Sequence, residues 1–235
     1  MRIEFYAGDV NILVVNALVE QLLESPSLPE LPDELQTRMA QERARREKFY
    51  AELTDDQKAE FINGKVIVHS PNKVRHFEVR DHLHVALWTF VRTRGLGFVA
   101  GEKALCVFPR NDYEPDVCYF GPAKAARLQP DQLKLPAPDF IAEVLSDSTA
   151  SMERGQKFQD YQAHGVQEYW LVDPDREFLE QYVLEGQAYG LLLKSGTGEV
   201  RSVAVPGFCL PVRALFDAQT HLQVLRELLA APPQA

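Results

Sequence analysis

The segment APDFIAEVLSDSTASMERGQKFQDYQAHGVQEYWLVDP, residues Ala137 to Pro174, decides the fold. It begins with the apolar run DFIAEVL, continues with a polar stretch of helical spacing that a Ser or Thr caps and Gly165 closes, and ends with the apolar run VQEYWLVD. Two strands joined through a helix are typical of a mixed α/β sheet. Glu143 stands at the centre of the first run, where an unpaired buried carboxylate costs on the order of several kcal/mol. The segment therefore predicts a compensating partner for Glu143, and a metal ion is one candidate.

The composition is that of a globular chain. Its 235 residues, 46% of them hydrophobic and 25% charged, suit one large domain or a domain with an extension. No run approaches the roughly 18 apolar residues of a membrane helix, and the first residues lack signal-peptide features, so we expect a cytoplasmic protein. The three cysteines form no CxxC pair, which predicts reduced thiols. Because the net charge is −9, any nucleic-acid partner needs a local basic surface or a charge-neutralising metal.

Residues 1–57 differ in character from the remainder and predict an N-terminal helical extension. Two stretches of helical spacing, NALVEQLLESP and LPDELQTRMAQERARREKFYAEL, flank a proline-containing connection. The second has a sparse apolar stripe: Leu35, Met39, Phe49, Tyr50 and Leu53. This stripe predicts packing on the main domain or on a partner subunit, and a solvated helix is the open alternative. Together with the edge strands expected late in the chain, the extension predicts a homodimer.

Residues 58–218 show a mixed α/β pattern, and residues 219–235 form a C-terminal helix or tail. The Asn63–Gly64 pair predicts a hairpin turn that leads into the strand KVIVH. Ser70 and Pro71 predict the cap and first residue of a helix that ends near Gly95. The stretches predicted as later strands lie in GFVAGEKALCVFP, EPDVCYFG, EFLEQYVLE and AYGLLLKSG.

Two of the apolar runs each carry an acidic residue in an apolar setting. Asp116 lies in EPDVCYF and Glu143 in DFIAEVL, and strand alternation puts them on the faces of Cys118 and Leu145, respectively. If the two strands are neighbours, both carboxylates can point to one spot, which suits a hard divalent cation. Lys157, in the helix that follows Glu143, is the cation expected nearby to position a nucleophile.

With these residues the chain resembles the Uma-two family, a restriction-endonuclease-like group of unknown function in the PD-(D/E)XK nuclease superfamily. The resemblance covers roughly residues 58–218 and rests on FINGKVIVHSP, EPD, the EVLS–ST string, the spaced lysine and GVQEYWLVDP. It implies a central mixed sheet flanked by helices, magnesium dependence and DNA cleavage. Asp116 matches the PD aspartate and Glu143 the (D/E) position. Leu145 stands where the superfamily has its lysine, and Lys157 matches the place from which the family supplies it.

Four further side chains are accessory candidates at this site: His76, Glu78, Glu102 and Tyr161. Structural readings stay open beside the functional ones. Glu143 can be a core carboxylate paired with Lys157, Asp116 a strand-entry residue, and Lys157 a partner of Glu153 on a solvated helix face. The histidines can be surface or packing residues, and Glu102 can lie in a solvated turn.

The leading hypothesis is a Mg²⁺-dependent DNA phosphodiesterase, in which Mn²⁺ can substitute for Mg²⁺. Asp116 and Glu143 bind the metal, and Lys157 orients or activates the attacking water. The rival hypothesis is a non-catalytic module that binds nucleic acid or protein and retains the nuclease fold. The Asp–Glu–Lys set favours catalysis, whereas the negative net charge and the absence of a basic patch count against it.

Overall fold

The computed structural model describes residues 17, 19–54 and 57–230. The strands in this part of the chain are β1 (Ala59–Ile62), β2 (Lys65–Val68), β3 (Phe98–Gly101), β4 (Cys106–Val107), β5 (Asp112–Tyr113), β6 (Val117–Phe120), β7 (Phe140–Val144), β8 (Glu168–Asp173), β9 (Phe178–Glu185), β10 (Ala188–Ser195), β11 (Glu199–Arg201) and β12 (Cys209–Pro211). The helices are α1 (Leu31–Glu52), α2 (Val74–Arg94), α3 (Pro122–Ala125), α4 (Ala150–Met152), a π-helical turn (Glu153–Lys157), α5 (Phe158–Ala163), a 3₁₀ turn (Val212–Leu215) and α6 (Ala218–Ala230).

A six-stranded mixed sheet forms the centre of the molecule, in the order β10-β9-β8-β7-β6-β3. Strands β7 and β8 are parallel, with Phe140 opposite Glu168, and the other neighbours are antiparallel. The parallel pair needs a crossover, and the helical segment that connects β7 to β8 provides it. A second sheet, β2-β1-β5-β4, and the pair β11-β12 complete the strands. The predicted central mixed sheet flanked by helices is confirmed.

The alternation of side chains along β6 and β7 divides the core into two layers. Val117 and Ala142 face a cluster that includes Leu83 and Leu87 of α2. Cys118 and Ile141 face the opposite layer, with Tyr161 of α5 and Tyr169 of β8. Because successive strand residues point to opposite faces, Asp116 and Glu143 share the second layer with these residues.

Two local predictions are confirmed. Asn63 and Gly64 have φ angles of 49° and 78°, the positive values that a tight turn between β1 and β2 requires. Helix α2 ends at Gly95, which adopts a left-handed conformation with φ 65°. The cysteines also agree with the expectation of free thiols: Cys106 and Cys118 are buried, and Cys209 is partly buried.

The predicted helix entry at Ser70–Pro71 is wrong. Helix α2 begins at Val74, after Lys73 in an extended conformation with no side-chain cap. The reason is that pairing of the hairpin continues beyond β2, since the N–H of His69 donates to the carbonyl of Lys58 at 3.0 Å. Residues 70–73 are therefore used as the connection.

The helix predicted between β7 and β8 is present but is not one regular α-helix. Thr149 precedes it without a side-chain cap hydrogen bond, so the predicted Ser or Thr cap is wrong. The π-helical turn Glu153–Lys157 interrupts the helix between α4 and α5. Short π-helical turns inside α-helices are frequent at functional sites.

Among the described residues of the N-terminal extension, the second half of α1 packs on the domain. Phe49 is buried in α1 and contacts Phe61, and Arg46 forms a salt bridge with Asp112 at 2.6 Å. Leu35 and Met39, by contrast, are 55% and 57% exposed. The NALVEQLLESP segment lies partly outside the described residues, and residues 19–23 are helical. The homodimer and the boundaries at residues 57 and 218 stay predictions.

Candidate active site

The two acidic residues predicted for the site lie side by side, Asp116 directly before β6 and Glu143 within β7. These strands pair with Val117 opposite Ala142, so that Asp116 and Glu143 occupy the next position of the ladder. The backbone N–H of Asp116 donates to Glu143 Oε2 at 3.2 Å, and the N–H of Val144 donates to Asp116 Oδ2 at 2.9 Å. Both residues are buried, with exposed fractions of 3% and 1%. Each carboxylate is thus fixed against the strand that carries the other.

Lys157 and Tyr161 hold the Glu143 carboxylate from the helical side. Lys157 Nζ lies 2.9 Å from Glu143 Oε1, and the Tyr161 hydroxyl donates to the same oxygen at 3.0 Å. Lys157 is buried, which contradicts the open reading in which it pairs with Glu153 on a solvated helix face. The structure therefore brings Asp116, Glu143, Lys157 and the accessory candidate Tyr161 together.

Glu60, which the sequence reasoning missed, also belongs to this cluster. It comes from β1 in the second sheet, and its Oε1 lies 2.9 Å from Lys157 Nζ. Its Oε2 lies 2.9 Å from His69 Nε2. Burial raises the pKa of Glu60, but Lys157 and His69 outweigh it and lower the pKa to about 2. The signal was present in AEFI, an apolar strand with one acidic residue, as in DFIAEVL.

Lys58 and His76 neutralise Asp116 from the opposite side. Lys58 Nζ donates to Asp116 Oδ1 at 2.8 Å, and His76 Nε2 lies 3.3 Å from Asp116 Oδ2. Burial raises the pKa of the Asp116 carboxyl, but these two groups hold it well below its ordinary value. Burial of the Glu143 carboxyl and the nearby negative charge of Asp116 raise its pKa. The positive charge of Lys157 lowers it, but by less, so that the pKa of Glu143 is raised. Lys58 was also missed by the sequence reasoning.

The carboxylates of the other two accessory candidates are not part of the cluster, although the backbone N–H of Glu102 donates to the carbonyl of Asp116 at 3.3 Å. Glu78 is exposed on α2. The Glu102 carboxylate forms a salt bridge with Arg80 and is 40% exposed, which agrees with the reading of Glu102 as a surface residue. Within the described residues, neither carboxylate forms a hydrogen bond or ion pair with Asp116 or Glu143.

The π-helical turn places Glu153 in the same buried region as Lys157. Glu153 is 3% exposed, and its Oε2 has no hydrogen-bond partner within the described part of the chain. Burial, followed by the charges of Glu143 and Asp116, raises the pKa of Glu153 well above its ordinary value.

The donor chemistry of the cluster suits a hard divalent cation. Asp116 and Glu143 offer carboxylate oxygens, which Mg²⁺ prefers, and the unpartnered Oε2 of Glu153 is a third buried acceptor in the region. Among residues 17, 19–54 and 57–230, no group of three or more His, Cys, Asp and Glu side chains is arranged to hold a metal ion. The arrangement thus fits an ion held by one or two carboxylates plus water and substrate oxygens, the usual mode of Mg²⁺.

A small cavity of about 130 Å³, lined by residues of both charges, lies beside the cluster. His76 contributes to its wall, together with Lys73, Arg75 and Ser146. Lys73 and Arg75 are surface residues that pair with Asp147 and Asp175. The cavity therefore connects the surface with the residue that contacts Asp116.

Glu114 makes the free energy of unfolding depend on pH. The residue is buried, and its Oε2 accepts a hydrogen bond from the Ala59 N–H at 3.1 Å. Burial raises its pKa from 4.5 to about 7, although the Ala59 hydrogen bond and Lys58 oppose this. The folded state then binds more protons than the unfolded state between these values, so the free energy of unfolding falls as the pH rises through this window.

Glutamine at position 114 keeps an acceptor oxygen and cannot ionise. We therefore expect Glu114→Gln to remove the fall of the free energy of unfolding with rising pH. The stability difference between variant and wild type should change by an amount on the order of 3 kcal/mol between about pH 4 and pH 8. Urea unfolding at both pH values measures it. An identical decline in the two proteins would show that Glu114 titrates normally.

Comparison with known proteins shows the family of this chain. Residues 46–213 match the profile of the Uma2 family, described as "Putative restriction endonuclease". The chain belongs to the Uma2 family. The "Uncharacterized protein sll1609" of Synechocystis sp. is 28% identical over 138 residues, which cover 58% of this chain and 77% of that protein.

A solved structure resembles this Uma2 chain in fold. It is the crystal structure of a "putative nuclease belonging to DUF820" from Anabaena variabilis, with a TM-score of 0.63 and 20% sequence identity. The match covers 76% of this chain and 97% of the Anabaena chain. Family and fold thus indicate a nuclease. For the described residues, no helix has the length and apolar character needed to cross a membrane.

Proposed function

We propose that this Uma2 protein is a Mg²⁺-dependent DNA endonuclease that hydrolyses phosphodiester bonds, with Mn²⁺ as a possible substitute. One observation carries the proposal: Asp116 and Glu143 are neighbours across β6 and β7. The Asp116 N–H donates to Glu143 Oε2, the Val144 N–H donates to Asp116 Oδ2, and Lys157 donates to Glu143 Oε1. The family match and the nuclease-like fold support it. We further propose that the protein acts in the cytoplasm as a homodimer, since cleavage of both DNA strands needs two sites.

In this proposal Asp116 and Glu143 hold the metal ion. When bound, the ion polarises the phosphodiester and lowers the pKa of water. Lys58 and His76 keep Asp116 ionised, and Lys157 and Tyr161 fix the orientation of Glu143. In the net reaction, a bond forms between the water oxygen and phosphorus while one phosphorus–oxygen ester bond breaks. The water releases one proton to solvent, and the leaving oxygen takes up one.

The first test is nicking of supercoiled plasmid by wild type and by Asp116→Asn in the presence of Mg²⁺ or Mn²⁺. We expect Asp116→Asn to lower the rate on the order of 10²–10³-fold, because the amide removes the negative charge that binds the ion. Asp217→Asn is the matched control, since Asp217 is partly buried beside α6 and contacts Thr220. Equal nicking by wild type and Asp116→Asn would contradict the proposal.

The second candidate function is a binding module without catalysis. One observation favours it: Lys157 is 2% exposed and paired with two carboxylates, Glu60 and Glu143. A lysine in such a position stabilises the fold without any contact with substrate. Bound Mn²⁺ without nicking of varied DNA sequences would favour this function.

A further inference from the structure

The two lysines of the cluster differ in how fully their ammonium groups are used. Lys157 Nζ contacts the carboxylates of Glu60 and Glu143, both at 2.9 Å, and lies 5.7 Å from the centre of the Tyr113 ring. Its side chain is 2% exposed. The two carboxylates take two of the three N–H donors of this ammonium, and its burial restricts the access of water or a phosphate oxygen to the third. Lys157 is therefore placed to hold its neighbours.

Lys58 has a different environment. It lies directly before β1 and reaches Asp116 from the second sheet, with Nζ 2.8 Å from Oδ1. Its side chain is 13% exposed, and Asp116 is the carboxylate with which it forms a salt bridge in the described residues. An ammonium group has three N–H donors on a flexible four-carbon stem, so Lys58 keeps donors for a further acceptor.

We infer that Lys58 is a further catalytic residue, which donates a hydrogen bond to a non-bridging oxygen of the scissile phosphate, and that Lys157 is a positioning residue for Glu143. This inference rests on the proposed nuclease function. A fixed cation beside the carboxylate site stabilises the negative charge that develops on the phosphate oxygens as water attacks. No other lysine forms a salt bridge with Asp116 among the described residues.

The test measures binding of a short DNA duplex at several salt concentrations, with Ca²⁺ in place of Mg²⁺. A lysine that contacts a phosphate contributes about 0.9 to the slope of log K against log salt concentration. We expect Lys58→Met to make the slope shallower by this amount and Lys58→Arg to restore it. The control Lys48→Met removes a charge from an exposed position of α1 and should leave the slope unchanged. Nicking with Mg²⁺ should fall on the order of 10²–10³-fold in Lys58→Met.

A second comparison covers the case in which Lys58→Met does not fold because Asp116 loses its partner. In the Asp116→Asn background there is no carboxylate to leave unpaired, and adding Lys58→Met should again make the slope shallower. An unchanged slope in both backgrounds would overturn the inference, even if wild type nicks DNA. A wild type that binds DNA with the expected Lys58 effect but never nicks would refute the proposed function alone. A wild type that does not bind DNA would refute both.

Discussion

Replacement of Glu143 with glutamine is expected to remove Mn²⁺ binding and to lower DNA nicking on the order of 10²–10³-fold. The amide is uncharged, and its NH₂ group must replace one of two acceptor oxygens: Oε2, which accepts the Asp116 N–H, or Oε1, which accepts from Lys157 and Tyr161. The variant thus loses the ionic ligand and at least one of the contacts that align the carboxylate. Calorimetric titration with Mn²⁺, beside plasmid nicking, measures the two effects in one preparation.

The matched control is Glu180→Gln. Glu180 is 2% exposed on β9, and its carboxylate pairs with Arg154 and Lys194, outside the Asp116 cluster. This variant tests for a general cost of losing a buried glutamate, and we expect it to bind Mn²⁺ as wild type does. A Glu143→Gln protein with wild-type Mn²⁺ affinity would exclude Glu143 as a ligand.

Lys157→Met is expected to cause the largest loss of stability, about 3–5 kcal/mol in the free energy of unfolding. The substitution leaves Glu60 and Glu143 buried without the ammonium group that each contacts at 2.9 Å. Burial lowers the pKa of Lys157, but the charges of Glu143 and Glu60 outweigh it and raise the pKa well above its ordinary value. Urea unfolding at neutral pH measures the loss.

Two controls distinguish the effect of breaking the buried ion pairs from the effect of removing one positive charge. Lys48 is 71% exposed and lies 3.6 Å from Glu52, so Lys48→Met should change stability by less than about 0.5 kcal/mol. Adding Glu60→Gln to Lys157→Met should recover part of the loss, because one of the two unpaired charges disappears. A Lys157→Met protein within about 1 kcal/mol of wild type would contradict the importance of these pairs.

The sequence allowed prediction of the parts of the site that local patterns determine. An acidic residue inside an apolar run, as in DFIAEVL, indicates a carboxylate on the buried face of a strand whatever its neighbours are. The sequence left open whether β6 and β7 are neighbours. Once they are, their pairing brings Asp116 to Glu143. The family resemblance then directed attention to Lys157.

The contributions of Lys58 and Glu60 could not be predicted in the same way. Both come from the start of a separate sheet, and its position against β6 depends on tertiary contacts between distant segments, such as that of Lys58 with Asp116. The π-helical turn was equally hidden, because the spacing of Glu153 and Lys157 is compatible with a regular α-helix. Both side chains of that turn are buried.

Anomalous diffraction from crystals soaked in Mn²⁺ tests the central claim most directly, namely that Asp116 and Glu143 hold a divalent cation. We expect one strong peak within about 2.0–2.4 Å of a carboxylate oxygen from each of these two residues. The same peak should be absent from crystals of Glu143→Gln. A peak at another site, or none beside Asp116 and Glu143 at millimolar Mn²⁺, would contradict the account.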